Sequence, residues 1–168
     1  MNQLRLAGII RESIVDGPGI RFVVFAQGCP HQCAGCHNPQ SWPAEGGFVA
    51  APEQIIGEMI KNPLLKGLTL SGGEPFCQCT AMAQLARAAH EKGFDVITYT
   101  GFTFEELLEQ AASIPEILEL LISTDILIDG PFIEELKSYD LQFRGSSNQR
   151  IINVKLSLEK GKAELITI

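Results

Sequence analysis

Residues 20–39 read IRFVVFAQGCPHQCAGCHNP, an apolar run that passes directly into a loop carrying three cysteines. The run over 20–26 is rich in β-branched and aromatic residues, which predicts a buried strand. Similar runs alternate along the chain with stretches of helical periodicity, a pattern typical of an α/β fold with a mainly parallel sheet. Ligands of such sheets bind beyond the carboxyl ends of the strands. The sequence therefore places the cysteine loop where a functional site is expected.

The alternation gives a definite set of predicted elements. Strands are predicted over 4–10, 20–26, 67–71, 94–99, 125–129 and 151–154, and helices over 52–61, 80–92, 104–112, 115–122 and 132–138. Pro52 suits a first helical turn, Gly93 suits a helix stop, and Thr103 with Glu106 matches a capping box. Because no linker divides the chain, we expect one domain over 1–168. The tail 155–168 is expected to be an appended hairpin.

Composition excludes several classes of protein. Hydrophobic residues make up 45% of the 168 residues and charged residues 20%, which suits a globular protein and is too apolar for a disordered one. The net charge of −7 argues against a nucleic-acid-binding surface. No apolar run approaches the roughly 20 residues of a membrane span, and no secretory signal is recognisable. We therefore expect a cytoplasmic protein that binds neither nucleic acid nor membrane.

The cysteines indicate metal or cluster ligation. Cys29, Cys33 and Cys36 follow the spacing C-x3-C-x2-C, and Cys77 and Cys79 lie farther along the chain. An odd number of cysteines in a cytosolic chain argues against a disulfide framework. A [4Fe–4S] cluster ordinarily takes four cysteines, so three would leave one iron open to a substrate.

Spacing alone leaves a zinc site open as an alternative, because His31 or His37 would supply a fourth ligand. Cys77 and Cys79 have no evident partner residues, since an auxiliary cluster would need about four further cysteines. We interpret these two as small residues near the start of a helix.

The cysteine loop resembles the signature of the radical S-adenosylmethionine (SAM) superfamily. The resemblance continues in DGPGIR at 16–21, CHNP at 36–39, LSGGEPF at 70–76, LIDGPF at 127–132 and FRGSSNQR at 143–150. Together these motifs are similar to the activases of glycyl radical enzymes. They are most similar to the branch that acts on anaerobic (class III) ribonucleoside-triphosphate reductase. The similarity spans about residues 10–150.

This resemblance implies a fold and a reaction. The fold would be an incomplete, open (β/α) barrel of the radical SAM type. Cys29, Cys33 and Cys36 would bind one [4Fe–4S] cluster, whose open iron chelates SAM. One electron from a low-potential donor, such as flavodoxin or ferredoxin, would cleave SAM into methionine and a 5′-deoxyadenosyl radical. That radical would take a hydrogen atom from a glycine Cα of the partner enzyme, a step that needs no acid or base from the protein.

The resemblance also implies which residues bind SAM. Gly35 and His37 flank Cys36, where the backbone of the family passes close to the adenine. Gly72 and Gly73 allow a close approach of backbone to ligand.

Glu74 would supply a carboxylate for the ammonium group of SAM. Thr98, Tyr99 and Thr100 end a predicted strand and are candidates for the ribose or carboxylate side of SAM. Asp129 is a candidate for the ribose hydroxyls, with a helix cap near Pro131 as the structural alternative.

Four more polar residues belong to motifs of the resemblance. Arg21 is expected to pair with Asp16 or to face the partner protein. Asn148 and Gln149 are candidates for contacts with SAM or with the incoming glycine segment.

Three other functions remain open from the sequence. One is an activase of another glycyl radical enzyme, such as pyruvate formate-lyase. A second is a small-molecule enzyme such as 7-carboxy-7-deazaguanine synthase, which usually has Asp-Thr after the third cysteine instead of His37 and Asn38. The third is a zinc-binding module without catalysis, which the metal content of anaerobically purified protein would distinguish.

Overall fold

One open sheet organises residues 2–168, the part of the chain that the computed structural model describes. Within these residues, seven strands are arranged in the order β3-β1-β2-β4-β5-β6-β7. The strands are β1 Leu4–Ser13, β2 Ile20–Ala26, β3 Phe48–Ala50, β4 Leu65–Gly72, β5 Asp95–Tyr99, β6 Ile126–Asp129 and β7 Arg150–Asn153. The helices are α1 Pro52–Met59, α2 Cys79–Glu91, α3 Phe104–Ala111, α4 Pro115–Ile122 and α5 Val154–Lys160. None of these helices has the length and apolarity that crossing a membrane requires.

The centre of the sheet is parallel and its flanks are antiparallel. Strands β2, β4, β5 and β6 pair in parallel. Strand β1 is antiparallel to β2 and β3, and β7 is antiparallel to β6. The predicted α/β class with a mostly parallel sheet is therefore confirmed. The carboxyl ends of the four central strands meet at one edge, where the loops that follow them come together.

The two faces of the sheet have different roles. Along β2, Phe22, Val24 and Ala26 belong to the hydrophobic core, which α1, α2 and α4 complete. The alternate residues of the strand point to the opposite face. These include Val23, which is buried outside that core, and Phe25, which lines a cavity. The helices thus cover one face, and the other face is left for the site.

Most predicted elements are confirmed, with ends shifted by one to three residues. Gly93 follows α2 with a φ of 85°, and α3 begins with reciprocal hydrogen bonds between Thr103 and Glu106. The short edge strand β3 is not among the predicted elements.

The predicted helix over 132–138 is wrong. The structure has one 3₁₀ turn there, Glu134–Leu136. It stops because Lys137 forms an antiparallel bridge with Ser146, and the amide of Ser138 donates to the carbonyl of Gly145. Pairing with the later loop thus overrides the helical propensity of the segment.

The predicted hairpin over 155–168 is also wrong in its first half. The segment forms α5, because the side chain of Asn153 accepts a hydrogen bond from the amide of Leu156 and so caps a helix. The helix ends at Gly161, whose φ is 71°. Beyond it the chain returns to the sheet, where Leu165 bridges Ile152 and the backbone of Glu164 and Ile166 bonds to β7.

Arg21 is fully buried on the site face of the sheet. Its Nε donates to Thr69 Oγ1 at 2.7 Å, and Nη2 donates to the carbonyl of Leu68 at 2.8 Å and pairs with Asp95. Its Nη1 donates to the carbonyl of Pro18. The expected partners, Asp16 or another protein, are therefore corrected: Arg21 connects the turn before β2 to the middle of β4 and to the start of β5.

We predict that Arg21→Met destabilises the metal-free protein by about 3 kcal/mol, because it leaves buried carbonyls and the Asp95 carboxylate without their donor. Arg11→Met is the control, since that side chain is 69% exposed and pairs loosely with Glu58 at 3.7 Å. Urea unfolding measures both free energies. Equal, small changes in the two variants would contradict the structural role of Arg21.

Candidate functional site

A cavity of about 630 Å³ lies on the sheet face opposite the helices. Phe25, Ser71 and Tyr99 contribute its floor from β2, β4 and β5. The segments 14–16 and 141–145 form walls, and the turns at Gly72 and Gly130 lie at the carboxyl ends of β4 and β6. The cavity therefore lies at the sheet edge where the sequence predicts a ligand.

The three predicted cysteine ligands share this cavity. Cys29, Cys33 and Cys36 are free thiols, half-buried, and all three line it. The amide of Cys29 donates to the carbonyl of Trp42 at 3.0 Å, and that of Cys36 donates to the carbonyl of Cys33 at 3.1 Å. Burial raises the pKa of the Cys29 thiol, so ligation must displace a proton from it.

The donor set fits an iron–sulfur cluster, which takes thiolate ligands. Within residues 2–168, no three His, Cys, Asp or Glu side chains are grouped closely enough to hold a metal ion, and this holds for the three cysteines as well. The expected zinc alternative would need His31 or His37 as a fourth ligand. Instead, His31 binds Glu74, and the ring of His37 lies 5.5 Å from that of Phe132.

Gly72 and Gly73 allow a close approach of two backbone segments. A Cβ on Gly73 would overlap the carbonyl oxygens of Gly28 and Ala26, and Gly72 has a φ of 89°. The amide of Gly73 donates to Ala26 and that of Glu74 donates to Gly28, both at 2.8 Å. The close approach in the structure is therefore between the end of β4 and the start of the cysteine loop, whereas the sequence predicted one to a ligand; both glycines also line the cavity.

Glu74 is fully buried and is absent from the cavity lining. Its carboxylate accepts hydrogen bonds from the amides of Phe76 at 3.0 Å and Gly101 at 2.9 Å. The hydroxyl of Thr100 donates to it at 2.9 Å, and His31 Nε2 donates at 2.6 Å. The structure therefore places this carboxylate among protein donors.

Thr98 and Thr100 have different surroundings. The hydroxyl of Thr98 is buried against that of Thr124 at 2.8 Å and does not line the cavity. Thr100 does line the cavity, although its hydroxyl is engaged by Glu74.

Asp129 caps a helix, but a different one from the helix that the sequence suggests. Its carboxylate accepts from the amide of Phe104, in the first turn of α3, at 2.7 Å. It also pairs with Arg150, which reaches Glu105 at 2.6 Å. Hydrogen bonds from Arg150 lower the pKa of Glu105. Asp129 is fully buried and does not line the cavity.

The two residues that flank Cys36 also differ. His37 lines the cavity. Gly35 has a φ of 76° and does not line the cavity; a Cβ there would lie 3.0 Å from the carboxyl carbon of Glu134. The glycine therefore allows the loop to turn beside that carboxylate.

Tyr99 lines the cavity, but sequence reasoning missed the hydrogen bond that it makes. Its hydroxyl donates to the carbonyl of Phe143 at 2.7 Å, and Phe143 adopts a left-handed φ of 63°. Burial raises the pKa of Tyr99, so the hydroxyl keeps its proton for this bond. Tyr99 thus fixes the wall 141–145. Its place at the end of β5 was visible in the sequence, but its partner was not.

Asn148 and Gln149 stabilise the same wall. Asn148 Nδ2 donates to the carbonyl of Pro131 at 2.8 Å, and Gln149 Nε2 donates to that of Gly130 at 3.1 Å. Gln149 Oε1 accepts from the amide of Gly145 at 2.8 Å. Of the two residues, Gln149 lines the cavity.

Cys77 and Cys79 do not line the cavity. Desolvation and the nearby Glu74 carboxylate raise the pKa of Cys77 to about 11 and that of Cys79 to about 12. The thiol of Cys79 is buried and donates to the carbonyl of Phe76 at 2.8 Å.

Three free thiols on one loop open into a cavity at the carboxyl edge of an α/β sheet, which is a ligand set suited to an iron–sulfur cluster. Comparison with protein families agrees with this class. Residues 15–152 match the family model described as "4Fe-4S single cluster domain".

Curated relatives show which family of iron–sulfur proteins the chain belongs to. Each of three is named "Anaerobic ribonucleoside-triphosphate reductase-activating protein". The chain is 37% identical over 147 residues to that of Vibrio cholerae, which covers 82% of this chain and 90% of the relative. It is 36% identical over 154 residues to that of Haemophilus influenzae, with 85% and 94% covered. It is 35% identical over 151 residues to that of Escherichia coli K12, with 84% and 94% covered. The chain belongs to this family of activating proteins.

We predict that replacing Cys29, Cys33 or Cys36 by alanine abolishes the broad iron–sulfur absorption of anaerobically reconstituted protein, because three ligands are the minimum for the cluster. Cys77→Ser and Cys79→Ser are the matched controls and should retain the absorption. Loss of the cluster in either serine variant would contradict the assignment of the ligands.

Proposed function

We propose that this protein is an activase that uses a [4Fe–4S] cluster and SAM to form a glycyl radical on an anaerobic ribonucleoside-triphosphate reductase. The observation that carries the proposal is that Cys29, Cys33 and Cys36 open into one cavity together with Gly72 and Gly73. The names of the relatives support the reductase as the partner.

In this proposal, some of the residues that line the cavity bind the cluster and others bind SAM. The three cysteines would hold the cluster and leave one iron open. The cavity of about 630 Å³ is within the range of roughly 300–1,000 Å³ that small-molecule sites occupy. His37, Gly72, Gly73 and Thr100 line it and are our candidates for contacts with SAM. When bound, the reduced cluster supplies the electron that cleaves SAM and so starts hydrogen abstraction from the partner's glycine.

The sheet supports a finer description of the fold. Four parallel strands lead to one edge, and the cysteine loop follows the first of them. This arrangement supports our proposal of an incomplete, open (β/α) barrel of the radical SAM type, with the site at the carboxyl ends of the strands. The reaction consumes one electron, which a low-potential protein such as flavodoxin or ferredoxin would supply in the cytoplasm.

The rim of the cavity supports a protein as the substrate. Ile14 and Val15 line the cavity and are 76% and 71% exposed. Their loop is held in place by Asp16, whose carboxylate accepts from Ser13 and whose carbonyl accepts from the hydroxyl of Thr69 at 2.9 Å. Two aliphatic side chains on a fixed loop beside the site suit contact with a polypeptide segment.

The function is tested with reduced, cluster-loaded protein, SAM and an anaerobic ribonucleotide reductase under strict anaerobiosis. We expect 5′-deoxyadenosine and methionine, and a doublet in electron paramagnetic resonance from a glycyl radical on the reductase. Deuterium at the glycine α-carbon should collapse the doublet, because the remaining α-hydrogen causes the splitting. Alanine in place of that glycine should prevent the signal.

Each of the other outcomes would assign a different function to the protein. A doublet with pyruvate formate-lyase but none with the reductase would identify the other partner. SAM cleavage without a radical on either protein would indicate a small-molecule substrate. No SAM cleavage by protein with a fully loaded, reducible cluster would overturn the enzyme assignment.

We predict that the double variant Ile14→Ser, Val15→Ser lowers the yield of glycyl radical about tenfold or more at limiting reductase, because apolar contacts with the partner are lost. Cleavage of SAM in the absence of the reductase should be unchanged. The matched control is Ile60→Ser, Leu64→Ser, which alters side chains that are 57% and 65% exposed but lie away from the cavity. An equal effect of both double variants would contradict a role of the rim in docking.

A further inference from the structure

His31 lies between two of the cluster ligands and is held differently from its neighbours. Pro30 and Gln32 on either side of it are exposed, whereas the side chain of His31 is 15% exposed. Its Nε2 lies 2.6 Å from Glu74 Oε1. The imidazole therefore points inward from the cysteine loop to the buried carboxylate at the end of β4.

The turn after β5 accommodates this imidazole. The ring packs edge-on against Phe102, with 4.4 Å between ring centroids and an interplanar angle of 74°. A Cβ on Gly101 would lie 2.5 Å from the His31 ring. The φ of Gly101 is not positive, so space for the ring is what glycine provides here.

Glu74 connects three segments of the protein, which are the segment after β4, the turn after β5 and the cysteine loop. Its carboxylate is fully buried and is bonded to amides that follow β4 and β5, at Phe76 and Gly101. A buried carboxylate needs such donors, because its desolvation is otherwise costly. Within residues 2–168, His31 is the donor to Glu74 that comes from the cysteine loop.

The tip of the cysteine loop has few other hydrogen bonds to hold it in place. Its two ends are tied by backbone bonds, from Cys29 to Trp42 and from Ser41 to Asn38. Within residues 30–35 of the described chain, the His31–Glu74 bond is the one hydrogen bond to a part of the protein outside the loop. Removing it would leave the segment between Cys29 and Cys36 free to move.

We propose that His31 is a positioning residue, which fixes the cysteine loop to Glu74 and so keeps Cys29 and Cys33 in place to retain the cluster. Glu74 then acts first as the anchor of the loop. Fixing ligands beforehand lowers the entropy cost of binding, as for other preorganised sites. The inference concerns the cluster alone and holds whichever protein the activase acts on.

The test measures iron release from reconstituted protein to an iron(II) chelator, bathophenanthroline disulfonate, without SAM or reductase. We expect His31→Ala to release iron about tenfold faster than the wild type, since a charge-assisted hydrogen bond is lost. His31→Gln keeps a donor and should recover part of the difference. His90→Ala is the matched control, because His90 pairs with Asp125 at 2.8 Å away from the loop and should release iron at the wild-type rate.

A second variant tests the same contact while keeping both partners. Gly101→Ala places a methyl group against the His31 ring and should speed iron release as His31→Ala does. In protein that already carries His31→Ala, the same substitution should have no further effect, because the two changes remove one interaction. Urea unfolding of the metal-free variants separates a local effect from a loss of global stability.

The outcomes decide the proposal directly. Wild-type iron release from His31→Ala would overturn it, as would equal acceleration by His90→Ala. Additive effects of His31→Ala and Gly101→Ala would also overturn it. Because neither SAM cleavage nor radical formation is measured, failure here leaves the proposed function intact, and failure of that function leaves this result intact.

Discussion

The carboxyl ends of β2 and β4 approach each other so closely that side chains at Gly72 and Gly73 would overlap the backbone of β2. Two backbone hydrogen bonds, from Gly73 to Ala26 and from Glu74 to Gly28, join these ends. The cysteine loop begins at one side of this junction and the buried carboxylate lies at the other. The position of the ligands relative to the sheet therefore depends on a contact that only glycine permits.

Two buried charged residues stabilise the sheet outside this junction. Arg21 and Asp129 are buried charges at opposite ends of the parallel strands, and each is bonded to several partners. They connect neighbouring strands and a helix end, and they do so away from the cavity lining. The same residue types that suggest ligand binding in a sequence thus serve here to satisfy buried backbone groups.

Much of the fold was predictable, because its signals are local. Alternation of apolar runs, the capping pair Thr103 and Glu106, and the helix stop at Gly93 all act over a few residues. The error over 132–138 arose where a distant partner decides the conformation, through the bridge between Lys137 and Ser146. The error in the tail is of another kind, because a local cap at Asn153 starts a helix where the sequence predicted a hairpin.

Those parts of the site were predictable whose chemistry depends on the spacing of residues along the sequence. The three cysteines and the glycine pair share one cavity, as the motifs suggested. The surroundings of Thr98, Glu74 and Asp129 were not readable, because a carboxylate or hydroxyl has the same letter whether it faces a ligand or a buried amide. Tyr99 and Phe143 are separated by 44 residues in the sequence, and no local pattern predicts their contact.

The antiparallel strands on both flanks of the sheet affect how water reaches the cavity. A closed barrel surrounds its site on all sides and needs about 250 residues, whereas this sheet stops after four parallel strands. One side of the cavity is bounded by loops alone, with aliphatic side chains turned to water. A protein substrate docked on that side would supply the missing wall. Exclusion of water from the reacting atoms would then be a property of the complex, and not of either protein by itself.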